Sequence, residues 1–117
     1  MLTKLEEQIL MTAWRFKGEG YGVNIFRHLE ELNEKRITMG VVYDILERLS
    51  KSGYLKTQLG KPSPVRGGMK KKYYSITGEG IEEIVKSKNL YDELMKDFKT
   101  LYDQYKSNKN AVKQNNS

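Results

Sequence analysis

Six cations and no acid stand between Gly53 and Gly78: Lys56, Lys61, Arg66, Lys70, Lys71 and Lys72. Residues 1–52 and residues 79–117 each carry as many acids as bases, so the whole formal charge of +6 sits in this one stretch. Cations concentrated in this way suit a polyanion, and nucleic acid is the first candidate. The competing reading is a solvated, solubilising loop. The other chemistry-bearing residue types offer less. Cysteine is absent, which excludes disulfides and thiolate metal sites and suits a reducing compartment. His28 is the only histidine, whereas a zinc site needs about three or four converging donors. The carboxylates come as neighbours (Glu6-Glu7, Glu30-Glu31, Glu82-Glu83), and adjacent helix residues point about 100° apart. They therefore read as solvated faces and not as acid–base dyads. Gly18, Gly20 and Gly22 imitate a phosphate-binding loop, but no strand pattern precedes them and no Lys-Ser/Thr follows, so they read as turn residues. Arg66-Gly67-Gly68, present once, reads as a turn as well. No nucleophile stands with a base. An enzyme, a cofactor and a metal are not expected.

The elements that must position the basic stretch follow from periodicity. Thr3 with Glu6 reads as a capping box that opens a helix. Leu5, Ile9, Ala13 and Phe16 repeat at helical spacing, and Leu10 with Trp14 forms a second stripe, which implies two packing partners. A second helix from about Gly22 to Leu32 carries Ile25, Phe26, Leu29 and Leu32. Thr38 caps a third helix reaching about Ser52, and Gly53 stops it. The period then changes to two: Leu55, Thr57 and Leu59 alternate, and so do Lys71 to Ile76. Gly60 to Met69, holding both prolines, reads as the irregular tip of a hairpin. Thr77 caps a last helix over about Gly78 to Tyr105. There Ile84, Tyr91, Phe98 and Tyr105 recur by sevens, joined by Leu94, Met95, Leu101 and Tyr102 in a broad heptad stripe. That stripe is too long for the head to cover and predicts a second copy of the chain. Residues 107–117, rich in Lys, Asn, Gln and Ser, read as a disordered tail. The divisions are thus 1–76, 77–106 and 107–117. No apolar run approaches the ~20 residues that span a bilayer. The charged amphipathic start shows no leader pattern, so no membrane partner and a cytoplasmic location are expected.

Three helices, a two-stranded hairpin and a further helix make a mainly α (α+β) chain in the order of a winged helix-turn-helix. That fold sends its third helix into the major groove and lays its wing on the neighbouring backbone or minor groove. Val42, Ile45, Leu46 and Leu49 form the inward face of the third helix. Gly40, Tyr43, Asp44, Glu47 and Lys51 face outward, with Arg48 to one side. Gly40 costs a helix about 1 kcal/mol relative to Ala. Its use is either close approach of the backbone to a phosphate or none at all, as on a plain surface helix.

Several segments, taken in order, resemble the PadR-type transcriptional regulators over about residues 3–84. They are Leu5-Glu6 with Ile9-Leu10; Tyr21-Gly22-Val23 with Ile25; Thr38-Met39-Gly40-Val41-Val42-Tyr43 with Leu46, Leu49 and Gly53; Gly67-Gly68 before Tyr73-Tyr74; and Ile76-Thr77 with Gly80. The single helix that follows resembles the small subfamily. The resemblance implies a homodimeric repressor on a pseudo-palindromic operator, with the last helix exchanged across the dimer. Carried over by position, it implies Tyr43 near the DNA backbone, Thr38 and Gly40 at a helix start that faces DNA, and Lys70, Lys71 and Lys72 as the basic base of the wing. The outward face of the helix adds Met39, Asp44, Glu47, Arg48 and Lys51 as expected DNA contacts, and the basic stretch adds Lys61 and Arg66. Met69 stands where the family usually has an arginine, which leaves Arg66 as the wing's arginine. Asp44 and Glu47 either select cytosine amino groups or pair with Arg48 and Lys51. Leu10, Trp14, Tyr91, Leu94, Met95, Phe98, Leu101, Tyr102 and Tyr105 are the expected dimer core. In a sharper reading they line a cavity for a planar aromatic effector. The alternative function is a protein-binding module that meets an acidic partner through its basic hairpin.

Overall fold

The computed structural model describes residues 1–62 and 70–115. Seven elements follow in order: α1 (Lys4–Arg15), β1 (Gly20–Tyr21), α2 (Gly22–Leu32), α3 (Met39–Lys51), β2 (Leu55–Pro62), β3 (Lys70–Ile76) and α4 (Gly78–Asn115). The chain divides into two units, Met1–Ile84 and Val85–Ser117.

Capping chemistry sets the helix starts. The Thr3 hydroxyl accepts the Glu6 N–H, while the Glu6 carboxylate accepts the Thr3 N–H at 2.8 Å, the expected reciprocal box. Thr38 accepts the Val41 N–H at 3.2 Å and so fixes the start of α3. α1 stops where Lys17 and Gly18 both turn left-handed, at φ 52° and 84°. Gly53, at φ 85°, stops α3 in the same way.

The core of the first unit draws Ile9, Leu10 and Ala13 from α1 and Ile25 and Leu29 from α2. Val42, Ile45, Leu46 and Leu49 come from α3, Leu55 and Tyr74 from the sheet. The inward face of α3 is the one its sequence predicts. Leu32, expected in the α2 stripe, is exposed at the helix end.

The sheet has three strands in the order β1-β3-β2, all antiparallel. β1 is a finding beyond the expected hairpin: Gly20 and Tyr21 lie opposite Tyr74 and Tyr73. Two residues carry no periodicity, so the sequence shows only glycine turns there. β2 also continues through Gly60, Lys61 and Pro62, which were expected to be irregular. The pairing slips between Leu59 and Pro62, and Pro62 pairs with Lys70. Such an irregularity lets a strand absorb a Gly-Lys-Pro segment. Gly67, Gly68, Met69 and Arg66 lie outside the described residues.

α4 begins in the first unit. The Thr77 hydroxyl donates to the Gly53 carbonyl at 2.6 Å and accepts the Gly80 N–H at 3.1 Å. A methyl added at Gly80 would lie 2.5 Å from the Tyr54 carbonyl oxygen, so the helix and the α3–β2 turn touch backbone to backbone. This contact lies within the first unit, which runs to Ile84. The helix also runs on through Asn115, well into the 107–117 segment expected to be disordered. Lys106 to Asn115 contains no Gly or Pro to stop it, and lysines near a helix C-terminus suit its dipole. In the second unit Tyr91, Leu94, Met95, Phe98, Leu101, Tyr102 and Tyr105 are all exposed, Phe98 at 52%.

One expected interface residue is corrected. Leu10 is wholly buried in the core of the first unit, so it lines neither a dimer face nor a ligand cavity. The two stripes of α1 merge into one inward face there, and only Trp14, 62% exposed, remains outside.

Candidate nucleic-acid interface

α3 offers solvent a face of Thr38, Gly40, Val41, Tyr43, Asp44, Glu47, Arg48 and Lys51, with Met39 half-buried at its start. Nothing lies within 4 Å of a methyl placed on Gly40. The fold itself therefore does not need glycine there, and the helix start is open to close approach from outside.

The two cations of α3 are engaged. Lys51 Nζ lies 3.4 Å from Glu47, one turn back along the helix. Arg48 reaches across to α1, where its guanidinium lies 3.6 Å from the Glu6 carboxylate. Glu6 is held below its ordinary pKa, first by the Thr3 backbone N–H and less by Arg48, against an opposing push from burial. Pairing of this helix's acids and bases thus occurs for Glu47 with Lys51. Arg48 takes an acid from another helix.

Charge that pairs with no acid among the described residues comes from Lys71 and Lys72 of β3. Lys71 Nζ stands 4.3 Å above the centre of the Tyr21 ring, and Tyr21 meets Tyr73 edge to face at 5.9 Å. Lys72 Nζ lies 5.9 Å from the ring centre of Tyr74. These aromatic bases hold the ammonium groups over the sheet while leaving both lysines exposed. Tyr74 is itself buried, and its hydroxyl pKa is raised by that burial first and by Tyr43 and Glu47 second. Lys61 and Lys70 stand on the wing-side ends of β2 and β3, and Arg66 lies beyond the described residues.

Helix and strand converge on one groove of about 450 Å³, lined by Tyr21, Gly22, Val23, Tyr43, Asp44, Glu47, Lys71, Lys72 and Tyr74. Its floor depends on a glycine. A methyl on Gly22 would run into the ring of Tyr43, so only glycine at the start of α2 lets that ring lie across it. Tyr43 is thereby held against the start of α2, yet is 44% exposed. The groove brings together Tyr43, Asp44, Glu47, Lys71 and Lys72 from the expected set. It adds Tyr21, Gly22 and Val23, which no local pattern marks as a site, since Tyr21 lies in a two-residue strand and Gly22 and Val23 only open α2. A larger hollow of about 650 Å³, around Phe16, Glu19, Asn24, Gln58 and Tyr73, has no cation among the described residues of its lining.

A basic, aromatic-backed strand beside an exposed, capped helix can grip a phosphate backbone with the strand while the helix side chains face base edges. No helix among the described residues is long and apolar enough to cross a membrane.

Comparison with known proteins agrees with this fold. Residues 2–86 match the model of the Transcriptional regulator PadR-like family. Among solved structures, a Streptococcus transcriptional regulator is 27% identical with TM-score 0.65, covering 83% of this chain and 90% of its own. A PadR-like transcriptional regulator from Bacillus cereus is 26% identical with TM-score 0.64, covering 83% and 89%. A PadR family transcription regulator from Clostridium difficile is 25% identical with TM-score 0.59, covering 79% and 96%. No curated protein matches the chain.

Proposed function

This chain belongs to the PadR-like family of transcriptional regulators, and on that premise we propose that it is a homodimeric repressor that binds a pseudo-palindromic operator. The observation that carries the reading is the groove in which the exposed face of α3 meets Lys71 and Lys72. α3 enters the major groove with its N-terminal end foremost. Thr38, Met39, Asp44 and Glu47 face the bases, and Tyr43 and the open backbone at Gly40 meet phosphate. Arg48 and Lys51 belong to the same surface but reach DNA only by leaving Glu6 and Glu47. Lys71, Lys72, Lys70, Lys61 and Arg66 neutralise the flanking backbone. Such contacts set affinity and register, while base choice falls to the helix.

The second copy covers the apolar stripe of α4. An exposed row of Tyr91, Leu94, Met95, Phe98, Leu101, Tyr102 and Tyr105 on one helix is larger than a monomer ordinarily leaves in water. The two-fold axis then sets half-sites about one or two helical turns apart. Trp14, with its indole exposed, offers a flat apolar face to a planar aromatic effector that relieves repression. Quenching of its fluorescence across a panel of such compounds tests that part alone.

The test of the whole is a gel shift on the DNA just upstream of the protein's own gene. The expected result is a saturable, salt-sensitive shift with two chains per site. No shift at micromolar protein rejects the reading and favours a protein-binding winged helix with an acidic partner.

A further inference from the structure

We propose that Val41 reads a thymine: its two γ-methyl groups pack against the 5-methyl of one thymine in each operator half-site. The inference rests on the DNA reading above and deepens it. It adds a base-specific contact from a side chain with neither charge nor hydrogen bond.

α3 sorts its aliphatic side chains by side. Val42, Ile45, Leu46 and Leu49 are buried, none more than 5% exposed, and Met39 is half-buried. Val41 alone among them stays in water, 44% exposed. The core therefore does not account for its apolar character. Helix propensity does not either, since Ala, Glu or Lys suits an exposed helix position better than a β-branched residue. A single exposed aliphatic residue is ordinary on a surface. This one stands in the first turn of the helix that meets DNA. It lies on the same side as Thr38, three residues before it, and Asp44 and Arg48, three and seven residues after it.

Local chemistry holds the side chain still. The Thr38 hydroxyl accepts the Val41 N–H at 3.2 Å and so fixes its backbone. A valine on a helix keeps about nine-tenths of its population in one χ1 rotamer. The methyl groups are therefore placed before DNA arrives and lose little rotamer freedom on contact. Gly40 before it adds no side chain, and nothing lies within 4 Å of a methyl placed there, so the approach is open. An aliphatic group offers a base edge neither donor nor acceptor. In the major groove the apolar group it can meet is the 5-methyl of thymine, and contact removes both from water. A phosphate gains nothing from Val41, so the contact carries choice of base and not affinity for the backbone.

The test exchanges thymine for uracil, one position at a time, in the duplex upstream of the protein's own gene. Each exchange deletes one methyl and keeps the base pair. Wild-type chain is expected to bind about fourfold more weakly when the contacted thymine of one half-site is exchanged, the value of one buried methyl-sized group. Exchange in both half-sites is expected to weaken binding about fifteenfold. V41S removes both methyl groups at an exposed position, and Ser and Val have similar helix propensity, so helicity and Tm are expected to stay as in wild type. On the thymine duplex V41S is expected to bind about as weakly as wild type binds the doubly exchanged one. It is expected to lose nothing further on exchange, and to match wild type on random DNA. A wild-type chain indifferent to every exchange, or a V41S chain that keeps the wild-type penalty, overturns the assignment and leaves the DNA reading standing. Wild-type chain that leaves the unexchanged duplex free at micromolar concentration overturns the DNA reading and this one with it.

Discussion

The wing contact is testable through its salt dependence, because a phosphate contact leaves a quantitative trace. Consider K71Q/K72Q. In the folded protein Lys71 stands over Tyr21 at 4.3 Å and Lys72 near Tyr74 at 5.9 Å. Both ammonium groups are exposed, so the cation–π energy lost is only about 0.5–1 kcal/mol at the closer site, and the fold persists. On DNA the double variant removes about two phosphate partners per chain and about four per dimer. Each counts for roughly 0.9 in the slope of log K against log salt, so the slope falls by about 3.6. At ~0.1 M salt that corresponds to an affinity loss of about three and a half orders of magnitude, extrapolating to no electrostatic term at ~1 M. Fluorescence anisotropy with labelled duplexes over roughly 50–200 mM salt measures it. The loss is expected to be equal on the operator and on random DNA, since these groups touch no base. An unchanged slope would falsify the wing assignment. A loss confined to the operator would place the lysines on bases instead.

Four further variants, at three glycines and at Glu6, have expected outcomes. G22A drives a methyl into the Tyr43 ring and is expected to cost about 1–3 kcal/mol in denaturant unfolding. The same change in a Y43A background is expected to be neutral or stabilising; equal costs in both backgrounds remove the ring contact from the account. G80A, with the Tyr54 carbonyl in the way, is expected to lower Tm, whereas G40A meets nothing and is expected to stabilise by about 1 kcal/mol. G40A is also expected to weaken DNA binding; undiminished binding ends the case for close backbone approach there. Glu6 has a folded pKa below its ordinary 4.5, so its stabilisation is complete above that value and is lost as pH falls through the folded pKa. The stability gap between wild type and E6Q is therefore expected to be widest near neutrality and to close in acid. A gap that widens in acid contradicts that sign.

Much of the fold was legible because single residues dictate local geometry. Thr3, Thr38, Thr77 and Gly53 mark their helix ends by cap chemistry, which is written in residue type and spacing alone. The inward face of α3 followed from its period. What escaped depends on tertiary partners. β1 exists only because Tyr73 and Tyr74 lie opposite Gly20 and Tyr21, and no local pattern encodes a two-residue strand. Leu10 and Trp14 sit four apart and look equivalent in sequence; packing buries one and exposes the other. The end of α4 was misread because polar composition suggested disorder, while the same lysines, alanine and glutamine are competent helix formers with nothing to stop them.

The site was half legible. The basic stretch and the outward face of α3 were visible as charge and periodicity. That Arg48 turns to Glu6, or that Gly22 seats Tyr43, requires residues from other helices and could not be read from α3 alone. These contacts also redistribute the work expected of the surface. The cations of α3 are already paired, so the proposed DNA contact leans more on Lys71 and Lys72 of β3 than the sequence suggested.

The most direct test of the central claim is equilibrium binding of the wild-type chain to the duplex upstream of its own gene, with stoichiometry determined at saturation. The account predicts a saturable complex of two chains per duplex that weakens steeply as salt rises. Micromolar protein that leaves the DNA free at low salt, or binding that ignores salt, contradicts it.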